Sequence, residues 1–213
     1  MKFLIISNPR SGSSSITNYF KQIGYNIGHE TILNDGVCSW MMAVDDKYPW
    51  GNTKSKNEYK FDNIIHLLRN PFDTIPSLIL ENKYSENNKS YLFRKKHIKN
   101  ILNQDLTPYE SNDLELATLT YIYWNQICSK NNPDYTIKIE NLEDLDKFNN
   151  NNIDIHTVHK NKTCNKHFYI EQTYKILKKP TITKEQYNKL SKDTLNKLKS
   201  FCDQYNYIYN LSI

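Results

Sequence analysis

The chain has 213 residues, with Lys+Arg 28 against Asp+Glu 23 and a formal net charge of +5. Only 38% of residues are hydrophobic and the mean hydropathy is −0.74, so most of the surface is polar. No apolar run reaches the ~18 residues of a membrane span, and lysine is spread without the dense basic stretch of a nucleic-acid binder.

Anionic ligands are therefore the expected partners, with no nucleic acid and no membrane span. The length suits a single domain over residues 1–213 with a proper core. Cys38, Cys128, Cys164 and Cys202 form no CxxC pair. Residues 1–6 are too short for a signal-peptide core, so reduced thiols and a cytoplasmic location are expected.

Residues 2–7 read as a buried strand and 13–23 as a helix, with Ile16, Phe20 and Ile23 on one face. Gly28-His29-Glu30 follows what reads as a second strand, and 37–45 reads as a short helix. Residues 47–62 read as a polar loop and 63–68 as another buried strand. Helices are expected over 71–83, 89–102 and 112–129, the last capped by Ser111 or Asn112. A further strand falls at 135–139, and residues 149–152 form a polar linker. Residues 156–170 are basic and histidine-rich without clear periodicity, and one or two closing helices start at Thr183.

Strands alternating with helices predict an α/β fold: a parallel sheet with helices on both faces, a P-loop-NTPase-like three-layer sandwich. Ligands of such sheets sit at the carboxyl ends of the strands. Two loops leave such ends: Ser7-Asn8-Pro9-Arg10-Ser11-Gly12-Ser13-Ser14-Ser15 and Arg69-Asn70-Pro71-Phe72-Asp73-Thr74-Ile75-Pro76-Ser77.

A strand, a glycine-containing loop and a helix aim backbone N–H groups and the helix dipole at one point, which attracts a phosphate. Gly12 allows close approach, Ser11, Ser13, Ser14 and Ser15 offer hydroxyls, and Arg10 brings permanent charge. Taken alone, the segment reads equally well as an ordinary polar turn. It fails the GxxxxGK[ST] pattern at Ser7 and Ser13, and without the lysine an ATPase or kinase is disfavoured. In the second loop, Arg69 and Ser77 are eight residues apart. An arginine at a strand end and a serine two turns into the next helix can both face one phosphate. Pro71 suits the first helical turn, whereas Pro76 is expected to kink the helix.

Pro9-Arg10-Ser11-Gly12-Ser13-Ser14, followed by Arg69-Asn70-Pro71-Phe72-Asp73 and Ser77, resembles the PAPS-dependent sulfotransferases. Ile137-Lys138-Ile139-Glu140-Asn141-Leu142 is similar to that family's strand ending in Tyr-Glu-Asp-Leu, and the closing helices are similar to its C-terminal helix. The resemblance implies sulfuryl transfer from PAPS, leaving PAP, to a hydroxyl-bearing small molecule or glycan, with no metal. It implies that Arg10 sits beside the transferring group and that Ser11 to Ser14 cradle the 5′-phosphosulfate. Arg69 and Ser77 would hold the 3′-phosphate. Ser15 and Ile139 stand where the family has aromatic residues at the adenine, so Phe168 or Tyr169 becomes the expected stacking ring and Lys160–Lys166 the expected lid.

Sulfuryl transfer also needs a base for the acceptor hydroxyl. Glu30 and His29 are the two candidates, with Glu30 preferred from related enzymes and His29 offering the better unperturbed pKa, about 6.5. Asp35 and Trp40 are candidates to line the acceptor pocket. His156, His159, Cys164 and His167 are zinc-ligand types in a spacing that matches no known site. Tyr121, Tyr123 and Trp124 read as core, and Arg94-Lys95-Lys96 as a solvated helix face. A small-molecule kinase and a non-catalytic nucleotide-binding module are the alternative functions.

Overall fold

The computed structural model describes residues 1–46, 56–85, 88–149, 168–170 and 176–211. The chain divides into two compact units, Met1–Arg69 with Ile127–Asn165, and Asn70–Gln126 with Lys166–Ile213.

The first unit holds the sheet. Its strands are β1 (Phe3–Ser7), β2 (Gly28–His29), β3 (Gly36–Cys38), β4 (Asn63–Leu68) and β5 (Tyr135–Lys138), all parallel, in the order β2-β3-β1-β4-β5. The fold is therefore α/β with a parallel sheet, as the strand–helix alternation predicts. Residues 3–7 form the central strand because an uninterrupted apolar run can be buried on both sides. Phe3 and Ile5 face helix α1 (Ser13–Gln22), packing with Ile16, Phe20 and Ile23 and with Phe148 of the 3-10 segment Leu142–Phe148. Phe3 meets Phe20, Tyr25 and Phe148 with ring centroids 5.1, 5.2 and 5.3 Å apart. The 3-10 turn Met41–Ala43 also lies against β1. His66 on β4 is buried 3.5 Å from the Ser129 hydroxyl, in the last turn of α4 (Asp113–Ser129).

Helix α1 stops at Gly24, whose φ of 99° closes a Schellman turn: Tyr25 N–H bonds Phe20 C=O and Gly24 N–H bonds Lys21 C=O.

The expected helix at 37–45 is corrected. Gly36–Cys38 is a strand, followed by a 3-10 turn. Residues 36–44 are buried without a break, which is the signature of a segment inside a sheet layer rather than of an amphipathic helix. Of the expected loop at 47–62, Lys56–Glu58 is a 3-10 turn and residues 47–55 lie outside the described residues.

The second unit contains α2 (Pro71–Tyr84), α3 (Lys89–Leu102), most of α4, α5 (Lys184–Tyr187) and α6 (Lys192–Gln204). Strands β6 (Phe168–Ile170) and β7 (Ile176–Lys178) pair antiparallel, an element that the sequence pattern does not announce. Helix α2 continues through Pro76. Asn112 caps α4 through Glu115 N–H, and a Thr183–Gln186 capping box opens α5. Tyr121, Tyr123 and Trp124 are core, as expected.

The Arg94-Lys95-Lys96 reading is corrected for Arg94, which is fully buried and donates to Asn82 Oδ1 and to Ser90 Oγ and C=O. Ser90, Arg94, His97 and Ile98 share the buried stripe of α3, so helical spacing carries the guanidinium inward, where hydrogen bonds replace its hydration.

Candidate functional site

The β1–α1 loop leaves the carboxyl end of the central strand. Ser11 N–H turns back onto Asn8 C=O, Arg10 takes a left-handed φ of 69°, and Gly12 follows at 91°. Gly12 is the N-cap of α1 and offers no side chain to it. Its carbonyl accepts from Ser15 and Ile16 N–H. A side chain at this position would be strained by φ and would meet Ile139 Cγ1 at 3.0 Å. Ile139 thus walls the loop from the end of β5, where its N–H bonds Leu68 C=O.

Two hydroxyls in this loop, Ser7 Oγ and Ser11 Oγ, are buried without a hydrogen-bond partner among the described residues. An orphaned buried hydroxyl costs about 1–3 kcal/mol. The uncapped helix N-terminus and the close-approach glycine suit a phosphate or sulfate group.

The second loop starts where β4, the in-register neighbour of β1, ends. Arg69 is half-buried and its Nη1 donates to Arg10 C=O at 3.2 Å. That bond ties the two strand-end loops together and supports the left-handed Arg10. The connection from β1 runs toward β2 and β3, and the connection from β4 toward β5. The paired strands β1 and β4 therefore flank the switch point at which α/β sheets bind ligands. Ser77 is half-buried on α2, in the second unit.

His29 and Glu30 stand at the carboxyl end of β2, and the structure brings His29 to the first loop. Its Nε2 is 2.9 Å from Ser13 Oγ and 3.4 Å from Ser14 Oγ. Glu30 Oε1 is 4.0 Å from the same nitrogen. A hydroxyl–imidazole–carboxylate relay needs the carboxylate on the other ring nitrogen, so this geometry does not activate Ser13 as a nucleophile. Glu30 has a left-handed φ of 57°, its N–H bonds Cys38 C=O, and its Oε2 accepts from the Ser39 hydroxyl. The neighbouring Cys38 thiol is pushed well above its ordinary pKa by burial and then by the charge of Glu30, against a hydrogen bond with Thr17.

Asp35 does not join this group. Its carbonyl bonds Phe3 N–H, at the opposite end of β1 from the loop, and its carboxylate accepts from Asn26 N–H. Trp40 follows β3 and is buried. Phe168 and Tyr169 fall on β6. The proposed lid Lys160–Lys166 and the group His156, His159, Cys164 and His167 lie outside the described residues. Among the described residues, no cluster of three His, Cys, Asp or Glu is arranged to hold a metal, and no helix is long and apolar enough to cross a membrane.

Ser39 is a site residue that sequence reasoning missed. Reading 37–45 as a helix hid the strand end at Ser39. Searches against protein-family models, curated proteins and solved structures found no match to this chain.

Proposed function

We propose that this protein is a PAPS-dependent sulfotransferase acting on a hydroxyl acceptor, with a carbohydrate preferred. The observation that carries the reading is the junction of two anion-suited loops on adjacent parallel strands, joined by the Arg69–Arg10 hydrogen bond. Two separated anion positions suit a donor with a 5′-phosphosulfate and a 3′-phosphate better than they suit ATP. Ser77 enters the proposal through its sequence spacing from Arg69.

In this reading Ser11 to Ser14 and the first amides of α1 hold the phosphosulfate of the donor, and Arg69 meets the 3′-phosphate. Glu30 takes the acceptor's hydroxyl proton. The acceptor oxygen bonds sulfur as the bond from sulfur to the bridging phosphate oxygen breaks. Arg10 and the loop amides offset the charge left on that oxygen, and PAP departs. The sulfuryl group carries less charge than a phosphoryl group, so residues of this chain suffice as counter-charge.

The test compares PAP with Mg-ATP by thermal shift. A ligand at 100 times its Kd adds about 2.7 kcal/mol, which in a chain of this size raises Tm by roughly 5–10 °C. PAP is expected to give that shift. A shift with Mg-ATP and none with PAP would point to a kinase instead. Turnover of PAPS on a panel of sugar and phenol hydroxyls separates the enzyme from a non-catalytic binding module.

A further inference from the structure

Glu30 is the residue to which the proposed mechanism assigns the proton. Strand β2 ends at His29, and Glu30 lies beyond it in a left-handed conformation that a non-glycine residue adopts at a cost. The adjacent strand end restrains it twice. Cys38 C=O accepts the Glu30 N–H at 3.0 Å, and the next residue, Ser39, donates its hydroxyl to Glu30 Oε2. Ser39 is itself anchored: it is only 2% exposed, and its N–H bonds Ile5 C=O of the central strand at 2.9 Å.

We propose that Ser39 is the positioning residue of the transfer step: from the end of β3 it fixes Glu30 Oε2 and so keeps Oε1 turned toward His29, whose Nε2 meets the Ser13 and Ser14 hydroxyls. This rests on the reading of Glu30 as the base. The two carboxylate oxygens then have separate tasks. Oε2 holds the side chain in place, and Oε1 receives the acceptor proton. The hydroxyl of Ser39 keeps its own proton throughout. Two titratable groups that face Glu30 are His29, beside it on β2, and the Cys38 thiol on β3.

The proposal separates Ser39 from an ordinary buried serine, because its effect must pass through Glu30. In Ser39→Ala, kcat is expected to fall about tenfold, as for one lost hydrogen bond to a charged group, with KM for PAPS changed less than about twofold. The acid limb of the kcat profile moves to higher pH, because a donated hydrogen bond favours the ionised carboxylate. Ser39→Thr, which keeps the hydroxyl, restores much of the loss. In a Glu30→Gln background the Ser39→Ala effect disappears.

A ¹³C NMR titration of the Glu30 carboxyl is the readout that needs no turnover, and its midpoint rises in Ser39→Ala. If Ser39→Ala does not fold, Ser39→Cys, a weak donor of similar shape, is read the same way. An unmoved Glu30 titration, or an equal kcat loss with Gln at position 30, overturns the proposal. Absence of sulfuryl transfer by the unmodified protein would instead remove the functional reading, and the carboxyl titration would still decide whether Ser39 governs Glu30.

Discussion

Helices α1 and α2 both begin just past the carboxyl end of a sheet strand, yet their N-termini are built in opposite ways. The α1 end is capped by Gly12, which contributes no side chain to the first amides. The α2 end closes on itself: Asn70 Oδ1 accepts from Phe72 N–H at 2.9 Å, and Pro71 has no N–H to satisfy. An anion at α1 displaces no internal cap, whereas at α2 it would compete with one. In the proposed function, the second loop therefore recognises its anion chiefly through the Arg69 side chain. A shared topological position makes both loops candidates, and the capping residue decides which kind of site each can be.

The largest expected effect tests whether chemistry belongs to the α1 side. Glu30→Gln should lower turnover about 10²–10⁴-fold while PAP still raises Tm, measured by steady-state assay and thermal shift. Unchanged turnover would move the base to His29. Next in size, Arg69→Ala should weaken PAP by about 100-fold, as for charge-assisted hydrogen bonds lost to a phosphate, and adenosine 5′-phosphosulfate by under about tenfold. Equal weakening of both ligands, by calorimetric titration, would mean that Arg69 acts only by bracing Arg10.

Gly12→Ala forces a side chain into a left-handed residue against Ile139. It should cost about 1–2 kcal/mol in urea unfolding and remove the PAP-induced shift. The smallest effect belongs to the self-capped helix. Asn70→Ala should cost about 1 kcal/mol, roughly 2–4 °C in Tm, with PAP affinity changed far less than by Gly12→Ala. If Asn70→Ala abolished PAP binding and Gly12→Ala spared it, the contrast between the two helix ends would collapse.

Much of the sheet was legible in the sequence because β1 and β4 are mostly apolar runs and β5 is a short segment rich in β-formers after Pro133. The strands read from sequence at 2–7, 63–68 and 135–139 appear as Phe3–Ser7, Asn63–Leu68 and Tyr135–Lys138. Gly36–Cys38 was not legible. Three residues carry no period, and the strand exists because β1 and β2 lie on either side of it. That misreading also hid Ser39, since a serine in an expected helix gives no reason to place its hydroxyl on Glu30. Arg94 shows the same limit from the other side. Its charge argues for solvent, and only the packing of α3 shows that Asn82 and Ser90 replace water around it.

Order along the chain, the two strand-end loops and the identity of their charged residues followed from the sequence by itself, because local backbone preferences and apolar runs act over a few residues. Three features came only from the tertiary structure: the contact between Arg69 and Arg10, the wall that Ile139 makes over Gly12, and the grip of Ser39 on Glu30. Each joins residues from different strands or loops. The strand order β2-β3-β1-β4-β5 brings those strand ends side by side, and that order is set by which buried faces pack together.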